Sequence, residues 1–309
     1  MWTAFLFAAI IAGTPLLFAT LGELITEKSG NLNLGVEGMM LMGAIMGFSV
    51  GIWTGSPVMA MVGAILAGAG GALIFAVLTV SLRANQVVTG LALTIFGTGF
   101  ASFMGKDYVG MVTPPAIKSF FHAVELPFLS DIPYLGPILF KHDVFVYFGY
   151  VSILVASIYL YKTRRGLNLR AVGENAAAAD ASGIPVTLYK YIHIIVGGAL
   201  CGLGGAYLSL VTIPVWQEGV TSGRGWIAVA LVIFASWNPT KAMLGAFLFG
   251  GLDILGFRLQ SQGIPVSQYL IDMLPYVATV VVLILSTKNN KKENRPPQDL
   301  GVPYFREER

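Results

Sequence analysis

The chain is a succession of long apolar stretches cut by short polar ones, and the spacing of the cuts predicts its elements. Crossing a hydrocarbon core about 30 Å thick takes on the order of 20 apolar residues in a helix. Such stretches run over 3–22, 34–53, 57–82, 86–104, 143–161, 192–212, 225–237, 240–257 and 268–286, so about nine crossings are expected. The seventh and eighth are short and split by Asn238-Pro239, which predicts a broken or hairpin pair whose inner turn carries Lys241. Small residues recur at every fourth position, as in Gly43, Gly47 and Gly51, in Gly63, Ala67 and Gly71, and in Gly198, Gly202 and Ala206. That spacing lets helix backbones approach and predicts a packed bundle. The expected fold class is an all-α polytopic membrane protein, with a transmembrane domain over 1–287 and a polar tail over 288–309.

Composition agrees. Of 309 residues 55% are hydrophobic and 11% charged, whereas a soluble domain carries about 25% charged residues. The net charge of +3 comes from local basic clusters, which bear on membrane orientation and not on nucleic acid. Lys28, Arg83, Lys162, Arg164, Arg165, Arg170, Lys190, Lys241 and the basic tail all fall on one side of the nine-crossing arrangement. Basic residues are retained in the cytoplasm, so the N-terminus is expected outside and the C-terminus inside. The proline-rich loop from Gly105 to His142 mixes lysines with acids and fits the outer side. Met1 to Leu21 has no basic residue ahead of it, so it reads as the first crossing and not as a cleaved signal peptide.

Several chemistries are excluded or unsupported. A lone Cys201 leaves no internal disulfide or thiolate cluster. His122, His142 and His193 lack metal-ligand spacing, no nucleophile and base are paired, and no Walker A sequence is present. No catalytic or metal-binding residue is therefore assigned, and no cofactor is expected on this chain.

Polar residues inside apolar sequence are the candidates for a solute pathway. The run Ser29 to Gly38 holds Asn31, Asn33 and Glu37 and would permit an unwound backbone lining a cavity. The alternative is an ordinary loop, with Glu37 favouring a helix N-terminus. Gln86 and Thr89 share one helical face and offer amide and hydroxyl groups; the alternative is simple capping by Asn85. Trp53, Phe96, Phe100, Trp216, Trp226 and Trp237 can stack on a ring-shaped solute or populate the interfacial belts. Glu23, Asp253 and Asp272 lie near or within crossings, paired or at interfaces.

The polar island between Tyr161 and Tyr191 stands apart. Its arginines would hold a loop at the inner face. Asn175 can cap a short helix through Ala176 to Ala179, with Gly183 and Pro185 ending it. Two turns with such small side chains are marginal in isolation and make sense inside a groove on another protein.

The run Ala177-Ala178-Ala179 followed by Gly183 resembles the cytoplasmic coupling loop of ABC importer permeases, although Ala177 stands where the family carries an acid, with Glu174 and Asp180 nearby. The context from Gly166 to Asn175 is similar to the subfamily that moves branched-chain amino acids, simple sugars and nucleosides. Gly22 to Gly30, Asn33 to Gly38, Arg83 to Val88 and Gly223 to Leu231 look like its nucleoside branch. The resemblance implies a coupling helix comprising Glu174, Asn175, Ala177, Ala178, Ala179, Asp180 and Gly183, while the residues themselves put Asn31, Asn33, Glu37, Gln86, Thr89 and Trp226 on the candidate pathway. The resemblance also implies ATP bound by separate cytosolic ATPases, a second homologous permease forming a heterodimer, and a solute-binding lipoprotein outside. The bacterial cytoplasmic membrane is the expected location. Rival readings are a sugar or branched-chain amino acid importer, or an ion-coupled transporter using Glu37 or Asp272.

Overall fold

The computed structural model describes residues 2–261, 267, 270, 273, 274, 276–278, 280, 281, 284 and 295–306. Long helices dominate them: α1 (Trp2–Glu27), α2 (Val36–Thr54), α3 (Pro57–Ala76) and α4 (Gln86–Gly105). The long loop after α4 adds two short helices, α5 (Pro115–Phe120) and α6 (Leu135–Leu139), and a two-stranded ladder of β1 (Val124–Glu125) with β2 (Lys141–His142). Then come α7 (Val144–Lys162), α8 (Arg164–Glu174), α9 (Ala176–Ala181), α10 (Val186–Tyr207), α11 (Arg224–Phe234) and α12 (Pro239–Ser261). A π turn extends α3 over Val77–Ser81 and α10 over Leu208–Thr212.

Helices begin where the sequence supplies an acceptor for their free amides. Ser56 accepts from the Met59 amide at 3.4 Å, Asn85 from Val88 at 3.0 Å and Asp143 from Val146 at 3.1 Å. Among the described residues, 6 helices are long and apolar enough to cross a membrane: α1, α2, α3 and α10 with their π turns, α4 and α7. Helix α11 has 11 residues, a rise of about 16 Å, which is half a crossing.

Two expectations change. The eighth apolar stretch is not short: α12 runs for 23 residues, about 34 Å. Asn238-Pro239 starts this helix, because the Asn238 side chain accepts from the Thr240 amide at 3.0 Å and proline fits a first helical turn. Residues 164–174 are not a basic loop but helix α8, capped by Thr163, whose hydroxyl accepts from Gly166 at 3.0 Å, and held down by buried Leu169 and Val172. The described residues do not reach nine crossings. The ninth apolar stretch, 268–286, lies for the most part outside them, as does Asp272.

Helices α1, α2 and α10 form the buried centre, while α3, α4 and α7 keep apolar faces exposed. Small residues make the centre dense. A β-carbon on Gly43 would run into the backbone of Gly202, one on Gly68 into Gly198, and one on Gly97 would lie 2.5 Å from the Gly38 Cα. The loop after α4 seals one end: Gly110 donates to the Trp216 carbonyl at 3.0 Å, and Val112 bridges Val215. Trp216 is itself buried against Phe48, so it is a packing residue and lies in no interfacial belt.

Two outcomes are expected. Gly43→Leu or Gly202→Leu should lower stability by about 1–3 kcal/mol or more through overpacking, whereas Gly99→Leu, with nothing within 4 Å, should not; thermal unfolding of the purified chain in detergent measures the difference. The second concerns His142, which is buried under Phe7, with ring centroids 4.7 Å apart, and bonded to the Ile138 carbonyl at 2.7 Å. Burial pushes its pKa below the usual histidine value. The unfolded chain then takes up a proton that the folded chain refuses, so stability should fall as pH drops below about 6.5 toward the folded value. His142→Phe should flatten that decline in an unfolding series across pH.

Candidate functional site

Between α1 and α2 the backbone leaves the helix at Lys28 and runs unwound to Gly35, yet it is almost wholly buried. Buried amides need partners, and side chains from three elements supply them. Glu23 accepts from the Asn33 amide at 2.8 Å, Gln86 from Leu32 at 2.7 Å, and the Asn33 side chain from Gly35 at 2.8 Å. Thr94 donates to the Leu34 carbonyl at 2.9 Å. Gly90 lets α4 come this close, since a β-carbon there would lie 2.6 Å from the Leu34 nitrogen.

One turn further on, the Glu37 carboxylate receives three hydrogen bonds from the start of α11: from the Thr221 hydroxyl at 2.5 Å and from the Gly223 and Gly225 amides at 2.9 and 2.6 Å. Gly223 turns with φ +81°, and a β-carbon on Gly225 would lie 2.5 Å from the Glu37 Cα. A carboxylate at a helix N-terminus meets both the free amides and the positive end of the helix dipole. Beside it Arg224 pairs with Asp253 at 3.6 Å. At the far end of α11, Trp237 donates its indole hydrogen to Glu27 at 2.5 Å. Its role is therefore to tie α11 to α1.

Asn31, Asn33, Glu37, Gln86 and Thr89 thus converge on one polar seam, but most of their groups are occupied within the chain. Thr89 donates to the Asn85 carbonyl of its own helix at 2.8 Å, and Asn31 accepts from Ser29 at 3.4 Å. The buried Gln86 Nε2 has no partner, whereas Glu23 and Glu27, one turn apart on α1, share a side-chain hydrogen bond. Trp226 stands apart, 38% exposed on α11. Glu27, Thr94 and Thr221 bond into the same region and are not among the polar positions singled out from the sequence.

The second constellation is the island. Asn175 accepts from the Ala178 amide at 2.8 Å and opens α9; Gly183, with φ +80°, closes it and donates to the Asp180 carbonyl at 2.9 Å. Ala176 and Ala179 pack inward on Val172 and Val186, while Glu174, Asn175, Ala177, Ala178 and Gly183 face out. The outward face is flat and small. Helix α8 meets the α1–α2 turn so closely that a β-carbon on Gly173 would run into the Lys28 carbonyl. Burial lowers the pKa of Lys28, and Glu174 partly offsets the effect.

Removing the Glu37 carboxylate would orphan three donors. Glu37→Ala should destabilise the chain by on the order of 3 kcal/mol, and Glu37→Asp, one methylene too short to reach all three, by less; thermal unfolding in detergent orders the two.

Comparison with known proteins completes the site. Residues 5–284 match the family described as branched-chain amino acid transport system / permease component. The match stops short of the C-terminal residues 295–306. The chain is 34% identical to the guanosine ABC transporter permease protein NupQ of Bacillus subtilis, over 98% of this chain and 96% of that protein. It is 34% identical to the nucleoside ABC transporter permease protein NupC of Lactococcus lactis, over 89% and 90%. A Haloferax volcanii ABC transporter permease protein provisionally named for glucose is 42% identical over 82% of this chain and 77% of its own length. No solved structure matches. A buried polar seam, a short alanine helix on a basic end and a match along almost the whole chain make this protein a member of the branched-chain amino acid transport system permease component family, the membrane-spanning subunit of an ABC transporter.

Proposed function

We propose that this permease imports nucleosides, with its N-terminus outside, its C-terminus inside and about nine crossings. The observation that carries the reading is α9. It presents Ala177 and Ala178 outward at the same end of the bundle as Lys28, Arg83, Arg164, Arg165 and Arg170. A cytosolic ATPase would receive that flat face in a groove, and a second ATPase would grip the same element of a homologous permease partner. A lipoprotein outside would deliver solute to the loop that covers Trp216. ATP binding would then shift the bundle between outward- and inward-facing states. Nucleoside cargo is supported by the two relatives named for guanosine and nucleosides, which align with nearly the full chain. The polar seam, with the free Gln86 amide, offers the hydrogen-bonding groups that such a solute needs. The relative named for glucose favours a second reading, a sugar.

Uptake of radiolabelled adenosine, ribose, glucose and leucine by the reconstituted complex separates these readings. Adenosine is expected; transport of leucine alone or of a sugar alone would overturn nucleoside cargo. Uptake by this chain without any ATPase would overturn the transporter class. Ala178→Glu on the outward face of α9 should cut solute imported per ATP hydrolysed about tenfold, by placing a charge where a groove expects a methyl group. Ala179 is packed inside and is the wrong position for that test.

A further inference from the structure

Helix α9 has 6 residues, too few to hold its shape alone. The chain's C-terminal segment supplies the rest. Asp299 Oδ2 accepts from the Ala176 amide at 2.7 Å, while the Asp299 amide donates to the Gly173 carbonyl at 3.0 Å. Tyr304 donates to Asp180 Oδ2 at 2.9 Å, and Arg306 approaches the same carboxylate at 3.3 Å. The Tyr304 ring packs on the small cluster of Val172, Ala176, Ala179 and Val186 under α9. The Arg83 guanidinium lies 4.6 Å above the Phe305 ring, which anchors the segment to the end of α3. Both ends and the middle of α9 are therefore held by residues more than a hundred positions away.

The same segment reaches the polar seam. Gly301, with φ +82°, donates to the Gly30 carbonyl at 3.1 Å. Gly30 directly precedes the Asn31 to Asn33 turn, whose amides rest on Gln86 and Glu23. We propose that residues 295–306 form a strap that positions α9 and transmits its displacement to the Gly30–Asn33 turn, with Asp299 as the positioning residue. This rests on the reading of α9 as the ATPase-docking helix. Three segments far apart in sequence, around Gly30, Gly173 to Asp180, and Asp299 to Arg306, meet at one place. A push on α9 therefore pulls on the backbone of the seam without passing through the length of any crossing helix.

Asp299→Ala removes the acceptor, whereas Asp299→Asn keeps an oxygen for the Ala176 amide. In the full complex, Asp299→Ala should speed hydrogen exchange at residues 176–182 about fivefold and lower solute imported per ATP hydrolysed by about the same factor. Asp299→Asn should restore both. A defect in folding alone would reduce the amount of complex and leave that ratio unchanged, which would overturn the proposal. Unchanged exchange in Asp299→Ala would overturn it too. If Ala178→Glu uncouples and Asp299→Ala does not, the strap fails and the docking reading survives; if Ala178→Glu has no effect, the docking reading fails first and takes the strap with it.

Discussion

Inside a bilayer every backbone amide must find its partner within the protein, because no water stands ready. Among the described residues the chain leaves the helix before α2 and again before α11, and a carboxylate in the first turn of α2 serves the second of these breaks. Glu37 sits in the first turn of α2 and receives the Gly223 and Gly225 amides and the Thr221 hydroxyl. The half-crossing α11 can therefore end inside the bundle without bare donors. Without Glu37 the start of α11 would bury three unpaired donors, while the unwound turn rests separately on Glu23, Gln86 and Asn33. The glycines at 90 and 225 follow from the same need, since each clears the room for a backbone to come within hydrogen-bonding range.

That arrangement gives the molecule two different ends. At one, the loop from Gly105 to His142 lies over the 214–216 segment and buries Trp216. At the other, α8, α9, the α1–α2 turn and the C-terminal segment converge with their hydrogen bonds directed at one another. An exposed ion pair such as Arg306 with Asp180 adds little stability by itself. What it does is fix direction, because Tyr304 holds the same carboxylate oxygen from another side.

Much of this was legible in the sequence because membrane helices obey coarse rules of length and hydropathy. The first six apolar stretches, the small-residue contacts and the short helix opened by Asn175 and closed by Gly183 all follow from local pattern. Glu37 lies in the first turn of α2, as one reading of it had, and it also meets the first amides of α11, a partner that sequence spacing does not reveal. Asn85 caps, yet Gln86 next to it also serves the seam, so those two readings were not exclusive. Asn238-Pro239 does break the apolar run, but the stretch after it was expected short and is the long α12, and residues 164–174 looked like a loop and form a helix. The second depends on partners distant in sequence, since Leu169 and Val172 pack beneath α8, and so does the contact that Asp299 makes with Ala176. Periodicity reports what a segment can do alone, and these segments are shaped by what covers them.

The split between an inner trio of helices and an outer trio also says how the chain can drift in evolution. In α1, α2 and α10 a side chain at Gly43, Gly202 or Gly205 has nowhere to go, so change there is confined to the smallest residues. Along the outer faces of α3, α4 and α7, Leu66, Ile95 or Leu154 can be exchanged for almost any apolar neighbour. Descendants of this protein should therefore keep a nearly fixed spine of glycine and alanine while their outer faces diverge, and would remain superimposable long after those outer positions had ceased to align.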